Sequence, residues 1–266
     1  FWYASLFSAL SLALTLTLFG LILRAVAIEY RSKALTPGGR EMWDWALAGG
    51  SFIAAFTVGA MLALTTTGIP LNANGDRVGG AFAWANGYAV LGGVAVVLFC
   101  LAQAWAFLGL KTDGAPREAA NRTLRTWLPV LVAPLAAWVV LVVAEAGKPV
   151  AWMLTALAVV ALAGAWISAR GRREGFTFLG MSLFLLCGVA ALFTAVYPTV
   201  LPSTVDPAYD LTVHNASSQT YTLGVMAVVT AVFIPLVLAY SCWSYWVFRR
   251  RISVQHIPES HPVTPL

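Results

Sequence analysis

The residues of this chain that could do chemistry are the few ionisable side chains that border long apolar runs. Arg24 and Glu29 end the first run, in the segment LILRAVAIEYRSK at residues 21–33. A charged group at bilayer depth is costly, and such groups commonly mark ion or proton routes. One interpretation therefore makes Glu29 a carboxylate at the mouth of a proton route, with Arg24 keeping it ionised.

A second interpretation of the same segment needs no chemical role. Arg24 would snorkel toward the membrane surface and Glu29 would be solvated, just before the stop-transfer cations Arg31 and Lys33. The five-residue spacing between Arg24 and Glu29 is also poor for a pair on one helical face. Composition alone favours this second interpretation, and both stay open at that level.

Two further acids at the borders of apolar runs have structural explanations. Asp44 opens the second run between two tryptophans, where a carboxylate at a helix N-terminus is favoured by the helix dipole. Glu145 ends the fourth run close to Lys148, and surface pairing with that lysine is sufficient to explain it.

The sequence shows no metal or haem ligand pair inside an apolar run. His214 lies in a polar loop, and His256 and His261 lie in the C-terminal tail. Membrane haem proteins typically bind iron through histidines, or through histidine and methionine, presented from helices. The three cysteines lie within apolar runs and lack a metal-binding spacing: Cys100, Cys187 and Cys242. Walker, GxSxG and HExxH motifs are also absent from the sequence, so hydrolytic or ATP-driven chemistry has no support.

The composition indicates that transmembrane helices position these residues. Of the 266 residues, 60% are hydrophobic and 10% are charged, whereas a soluble domain is about a quarter charged. The apolar runs are continuous for about 20 residues, which favours helices over the alternating strands of a barrel. We predict an all-α membrane protein with seven transmembrane helices, at about 2–28, 43–67, 86–110, 126–146, 149–169, 176–197 and 221–248.

The positive charges predict how these spans are oriented. If the spans alternate, 13 of the 16 Lys and Arg residues fall in segments on one side, and only Arg77 and Lys148 fall on the other. This is the positive-inside pattern. The basic side is therefore expected to be cytoplasmic, with the start of the sequence outside and a tail at 249–266 inside. The net charge of +5 then needs no nucleic-acid partner.

The longest loop on the other side covers residues 198–220 and contains three prolines. It cannot be helical throughout, because proline breaks the helical hydrogen-bond ladder. Its last polar residues, NASSQTYT, are expected to cap the seventh span.

Five segments carry a resemblance to a known family: LILRAVAIEYRSK at 21–33, REMWDWALAGGSF at 40–52, YPTVLPST at 197–204, LTVHNASSQTYTL at 211–223 and CWSYWVFRRRIS at 242–253. They resemble subunit II of the bacterial cytochrome bd-type quinol oxidases, in order and across nearly the whole chain. The variant IEYRSK and the alanine-rich spans are similar to those of actinobacterial members.

The resemblance implies a fold of nine transmembrane helices, arranged as two four-helix bundles plus one peripheral helix. The seven spans would be the last seven of these. The first two, which carry a Gly-Phe-Asp and a Trp-Asp-Gly-Asn segment in the family, would precede Phe1. We therefore expect the sequence to be an N-terminally truncated member.

The resemblance also implies a function in a bacterial plasma-membrane complex that oxidises quinol and reduces O₂ to water. In this family, subunit I holds the haems b558, b595 and d. Subunit II ligates none of them, scaffolds subunit I and can hold a structural quinone or lipid. Small accessory subunits can join the complex. One acid of the family's proposed cytoplasmic proton entry belongs to the Trp-Asp-Gly-Asn segment, the second falls on Glu29, and Arg24 matches an arginine of the same motif.

Two other classes of function stay open beside this one. A multi-span secondary transporter would normally show discontinuous helices and polar groups at the bilayer midplane, of which the spans have few. A purely structural or assembly protein would lose no turnover when Glu29 is changed.

Overall fold

The computed structural model describes residues 2–251. The helices are α1 (Trp2–Ala9), α2 (Ser11–Arg31), α3 (Pro37–Thr67), α4 (Gly87–Lys111), α5 (Ala115–Ala146), α6 (Pro149–Arg170), α7 (Glu174–Val196), α8 (Val213–Ala216) and α9 (Thr220–Val247). Seven of them, all except α1 and α8, are long and apolar enough to cross a membrane. The predicted all-α membrane fold with seven spans is therefore confirmed. Most of the tail predicted at 249–266, including His256 and His261, lies outside the described residues.

The first apolar run, predicted as one span over 2–28, divides into two helices at Leu10. The first helix, α1, ends at Ala9 and α2 begins at Ser11. Arg77, from the loop between α3 and α4, donates a hydrogen bond of 2.9 Å to the Ala9 carbonyl. The last carbonyls of a helix lack hydrogen-bond donors within that helix, and Arg77 supplies such a donor to Ala9. With its 21 residues, α2 alone is about 32 Å long and can span the hydrocarbon core.

Two helices extend beyond their apolar runs at the end where basic residues concentrate. The third helix begins at Pro37 because the Thr36 hydroxyl accepts a backbone amide of the first turn. Asp44 consequently lies about two turns inside α3, and the prediction that it sits at a helix N-terminus is wrong. The fifth helix begins at Ala115, well before the predicted 126, so the basic segment 115–125 is helical.

The helices α4, α5, α6 and α7 form a four-helix bundle. In this bundle α4 packs on α5 and α6 packs on α7, while α4 and α5 both contact α7. Its core is one cluster of buried side chains that includes Phe99, Leu128, Trp138, Met181 and Phe184. The helices α2 and α3 form a hairpin, which joins the bundle through the contact between α3 and α4.

Glycines make the closest approaches between helices in this arrangement. A Cβ atom added at Gly59 of α3 would lie 2.4 Å from the carbonyl oxygen of Gly92 in α4, and one added at Gly92 would lie 2.6 Å from the Gly59 oxygen. Gly20 and Gly50 show the same reciprocal arrangement between α2 and α3. Transmembrane helices associate through such close packing of small residues, because lipid offers no hydrophobic driving force.

The last long helix, α9, packs differently from the others. None of its residues is buried. At its C-terminal end, Lys111 Nζ donates a hydrogen bond of 2.7 Å to the Phe248 carbonyl oxygen. The helix therefore lies at the periphery of the described chain, tied near its end to the end of α4.

A layer of loops covers the end opposite the basic residues. Within 198–220, β1 (Thr199–Leu201) pairs antiparallel with β2 (Leu211–Thr212), and a 3₁₀ turn covers Pro207–Tyr209. The segment is thus not helical throughout, as its prolines predicted. The expectation that its end caps the seventh span is wrong, since the N-cap residue Gln219 makes no side-chain capping bond to α9.

Candidate functional site at the basic end of the helices

The basic end of the molecule is where α2, α4 and α6 end and where α3, α5 and α7 begin. Glu29 lies there in the last turn of α2, with its side chain 68% exposed. Lys33 Nζ donates to a Glu29 carboxylate oxygen at 2.7 Å, in an i,i+4 pair. Such an exposed pair contributes little to stability. The Glu29 carboxylate is therefore accessible to water and ion-paired, an arrangement that permits proton exchange with solvent.

A second ion pair fixes the basic end of the hairpin. Arg31 donates through Nε and Nη2 to the two carboxylate oxygens of Asp44, with the Nη2 bond at 3.2 Å. Tyr30 and Trp43 stack beside this pair, with their ring centroids 5.6 Å apart. A bidentate guanidinium–carboxylate pair fixes geometry as well as charge. This pair between α2 and α3, rather than the helix dipole, explains Asp44.

Arg24 lies on α2 and is exposed. Within residues 2–251, no side-chain hydrogen bond or ion pair joins Arg24 to Glu29, whose cationic partner is Lys33. The structure thus places both predicted residues toward the basic end of one helix but does not bring their charged groups together. The role of Glu29 and Arg24 in proton transfer stays a prediction.

The basic end also contains a buried carboxylate that sequence analysis did not single out. Glu174, the first residue of α7, is 9% exposed and accepts hydrogen bonds from Arg117 Nε at 2.8 Å and Asn121 Nδ2 at 3.2 Å. Its other oxygen lies 3.8 Å from Arg251 Nη2, and Arg251 also pairs with Asp113 at 3.1 Å. This network ties α7 to α5 and to the residues after α9. A glutamate placed between three arginines and an apolar run was its only signal in the sequence.

At the opposite end, Glu145 and Lys148 do not pair with each other. The Tyr88 hydroxyl lies 3.3 Å from Glu145 Oε1 as a hydrogen-bond donor. Lys148 Nζ donates instead to the carbonyl oxygens of Tyr197 and Thr194, the latter at 3.3 Å. The predicted surface pair is therefore replaced by a contact between α4 and α5 and by contacts of Lys148 with the end of α7.

Two adjoining apolar cavities lie away from these charges. One has a volume of about 560 Å³ and is lined by α1, α2, α3, α7 and β1, with Trp2 and Thr199 among its residues. The other, of about 320 Å³, lies between α3 and the bundle. Leu62 and Phe193 line both. Their size and lining suit an apolar chain such as an isoprenoid or acyl tail.

The described residues offer no histidine on a spanning helix to hold a haem iron. No group of three or more His, Cys, Asp and Glu side chains that could hold a metal ion occurs in the part of the chain that the structure describes. His214 is an exposed residue of the short helix α8, in the loop layer. Membrane haem iron is held by side chains presented from the spanning helices, so we assign no chemistry through a haem to these residues.

These features define an all-α, multi-pass membrane protein. A comparison with protein families is in agreement with that class. The model of the family described as cytochrome bd terminal oxidase subunit II matches residues 1–248. The chain belongs to this family, which confirms the resemblance carried by its sequence segments and makes the chain a member of an oxidoreductase complex family.

Individual relatives are consistent with the family match. The chain is 30% identical over 257 residues to the cytochrome bd ubiquinol oxidase subunit 2 of Bacillus subtilis (strain 168), covering 95% of this chain and 76% of that protein. It is 29% identical over 293 residues to the cytochrome bd-I ubiquinol oxidase subunit 2 of Escherichia coli (strain K12), covering 96% and 77%. A probable cytochrome oxidase subunit 2 of Haemophilus influenzae is 29% identical over 280 residues, covering 91% and 74%.

Proposed function

We propose that this chain is subunit II of a cytochrome bd-type terminal oxidase, which oxidises quinol and reduces O₂ to water. The observation that carries the proposal is the family match over residues 1–248, which includes every helix described above. The names of the Bacillus subtilis and Escherichia coli relatives, ubiquinol oxidase subunits, support a quinol as the electron donor.

In this proposal the catalytic centre lies in subunit I, which holds the haems b558, b595 and d. The present chain scaffolds that subunit within the bilayer. The match to the subunit II family supports this division of labour. The adjoining apolar cavities of about 560 and 320 Å³ are the place in this chain for a structural quinone or lipid chain.

The proposal places the basic end in the cytoplasm and the start of the sequence on the outer side of the bacterial plasma membrane. The excess of Lys and Arg at one end supports this orientation, because such residues are retained on the cytoplasmic side during insertion. Glu29 then faces the compartment from which protons for O₂ reduction are drawn. It takes up a proton from water as a carboxylate and releases it toward subunit I, and Arg24 serves as a supporting charge.

The test for the proton role is Glu29→Gln in the complete oxidase complex. Glutamine keeps the size and polarity of the side chain but cannot carry a proton. We expect quinol-driven O₂ uptake to fall by about tenfold or more, since positioned proton-transfer groups typically contribute about 10²–10⁴-fold. The haem absorption spectrum of the purified complex should stay unchanged.

Glu41→Gln is the matched control. Glu41 is also an exposed glutamate at the basic end, on α3, and no ion pair involving it is found among the described residues. Its replacement should leave O₂ uptake at the wild-type rate. Wild-type turnover in Glu29→Gln would contradict the proton role, and loss of haem together with turnover would assign Glu29 to assembly instead. A protein that purifies without a haem-bearing partner would contradict the oxidase proposal itself.

A further inference from the structure

Four arginines cluster at the basic ends of α5 and α6. Arg122 and Arg125 lie on α5, Arg170 ends α6, and Arg172 follows it. None of the four takes part in an ion pair with any residue in the range 2–251. Three other arginines at the same end each bind a carboxylate: Arg31, Arg117 and Arg251. Other arginines at this end, such as Arg24 and Arg40, also lack an ion pair among the described residues, so the distinguishing feature of these four is that they line adjoining cavities.

The first part of this region is a cavity of about 240 Å³ between α5 and the end of α6. Arg122, Arg125 and Arg172 line it, and Glu118 is the one acid among its lining residues. Arg172 has a φ of 55°, in the left-handed region that is uncommon for residues other than glycine. This conformation ends α6, since the Arg173 backbone amide donates to the Ser168 carbonyl oxygen at 2.9 Å.

The second part is a wider, open cavity of about 500 Å³, lined by Arg125, Thr126, Trp166 and Arg170. Arg125 and Thr126 line both cavities, so the two cavities adjoin. The Arg170 guanidinium lies over the Trp166 ring, 3.9 Å from its centroid. Trp166 Nε1 in turn donates to the Arg125 carbonyl oxygen at 3.3 Å. Trp166 thus contacts the Arg170 guanidinium and the backbone of Arg125.

The space lies where apolar and basic sequence meet. The apolar run of α5 begins at 126 and that of α6 ends at 169, so we expect the guanidinium groups to lie near the depth of lipid phosphates. Trp127, which is 55% exposed, and Ile167, which is 68% exposed, lie on the same two helices on the bilayer side. Tryptophans favour this interface, and exposed apolar side chains there contact acyl chains.

We propose that the four arginines form a binding site for the phosphate head group of an anionic phospholipid, with acyl chains along α5 and α6. Guanidinium groups bind phosphate oxygens through two parallel hydrogen bonds. A zwitterionic head group also carries a phosphate, but its net charge of zero would balance the four arginines less well. Basic pockets between transmembrane helices commonly bind anionic lipid head groups. A free phosphate ion shares the phosphate chemistry, but it would gain nothing from Trp127 and Ile167. The site is independent of Glu29 and of electron transfer.

The test is lipid retention by the intact purified complex, measured by native mass spectrometry. Delipidated complex is titrated with phosphatidylglycerol, and separately with phosphatidylcholine that has the same acyl chains. Wild type should bind one phosphatidylglycerol more tightly than any phosphatidylcholine. Each arginine near an anionic head group contributes about fivefold in affinity, so Arg125→Gln/Arg170→Gln should weaken the tightest phosphatidylglycerol by about 30-fold.

A matched double variant, Arg40→Gln/Arg250→Gln, removes the same charge from exposed residues of the basic end outside the cavities. It should bind phosphatidylglycerol as wild type does. If the first double variant does not assemble, the single variants Arg122→Gln and Arg172→Gln, both of exposed residues, should each weaken binding by about fivefold.

Three results would overturn the proposal. The first is equal binding of phosphatidylglycerol and phosphatidylcholine by wild type. The second is an equal loss in the matched double variant, which would reduce the effect to overall charge. The third is displacement of phosphatidylglycerol by millimolar inorganic phosphate, which would assign the site to a soluble anion.

Discussion

Replacing Gly59 by alanine tests the contact that joins the α2–α3 hairpin to the four-helix bundle. The added Cβ atom would lie 2.4 Å from the Gly92 carbonyl oxygen and 2.8 Å from Val96 Cβ. Ordinary van der Waals contact begins at 3.4 Å, so α3 and α4 would have to separate locally by about 1 Å. The Gly92 oxygen belongs to the backbone and cannot rotate away as a flexible side chain would.

The expected magnitude follows from two opposing effects. Overpacking of a close contact costs about 1–3 kcal/mol. Alanine offsets part of this cost, because it is up to about 1 kcal/mol more favourable than glycine in a helix interior. The sum is a net loss of about 1 kcal/mol for Gly59→Ala. At Gly164 of α6 an added Cβ meets nothing within 4 Å, so Gly164→Ala keeps the gain without the cost.

The assay is heat-induced unfolding of the two purified variants in the same detergent. At about 2–4 °C per kcal/mol, the midpoint should fall by a few degrees for Gly59→Ala and should rise or stay unchanged for Gly164→Ala. The test depends on the difference between the two midpoints, so it does not require an exact value of the free energy for either variant. A midpoint that rises equally in both variants would refute the close approach of α3 and α4.

Two further substitutions test polar contacts between helices by the same unfolding assay. Glu174→Gln removes the charge facing Arg117 and should cost about 1 kcal/mol, because Arg117 is 36% exposed and solvent screens the pair. An unchanged midpoint would contradict a stabilising role for this network. Thr17→Val removes a buried hydroxyl contact of 2.7 Å with Thr57 and should cost about 0.6 kcal/mol. Thr15→Val is the control, since the Thr15 hydroxyl bonds within α2, and equal effects of the two valines would argue against an interhelical contribution.

The spans of this fold could be predicted because each depends on its own segment of sequence. Continuous apolar runs and the loop charges give the number of helices without knowledge of tertiary contacts. The division of the first run at Leu10 could not be predicted in this way. Leucine is apolar and compatible with a helix, and the contact at the break comes from Arg77, 68 residues away.

The candidate site shows the same limit. The position of Glu29 follows from the end of an apolar run, and its pairing with Lys33 follows from helical i,i+4 spacing. Burial of Glu174 depends on Arg117, which is 57 residues distant in sequence and reaches it only when α5 and α7 pack together. A count of charges along the chain treats both glutamates alike, whereas the fold exposes one and buries the other.

The partners of the cations differ between the two ends of the molecule. At the opposite end, Arg77 donates to the Ala9 carbonyl and Lys148 donates to the Tyr197 and Thr194 carbonyls, so that these cations hold loops and helix ends together. At the basic end, Arg31, Arg117 and Arg251 bind carboxylates, whereas the four arginines between α5 and α6 bind none among the described residues. Four of the arginines without a carboxylate partner thus lie together at the ends of α5 and α6.

This distribution makes the two proposals separable by experiment. Glu29 lies on the hairpin, whereas Arg125 and Arg170 lie on the bundle, and no ion pair within the described chain connects them. Glu29→Gln should therefore slow O₂ uptake by the same factor in the wild-type background and in the Arg125→Gln/Arg170→Gln background, which has lost phosphatidylglycerol. If the two changes together slow O₂ uptake by much more than the product of their separate effects, the bound lipid and the proposed proton entry are coupled, and the charges at the basic end act as one system.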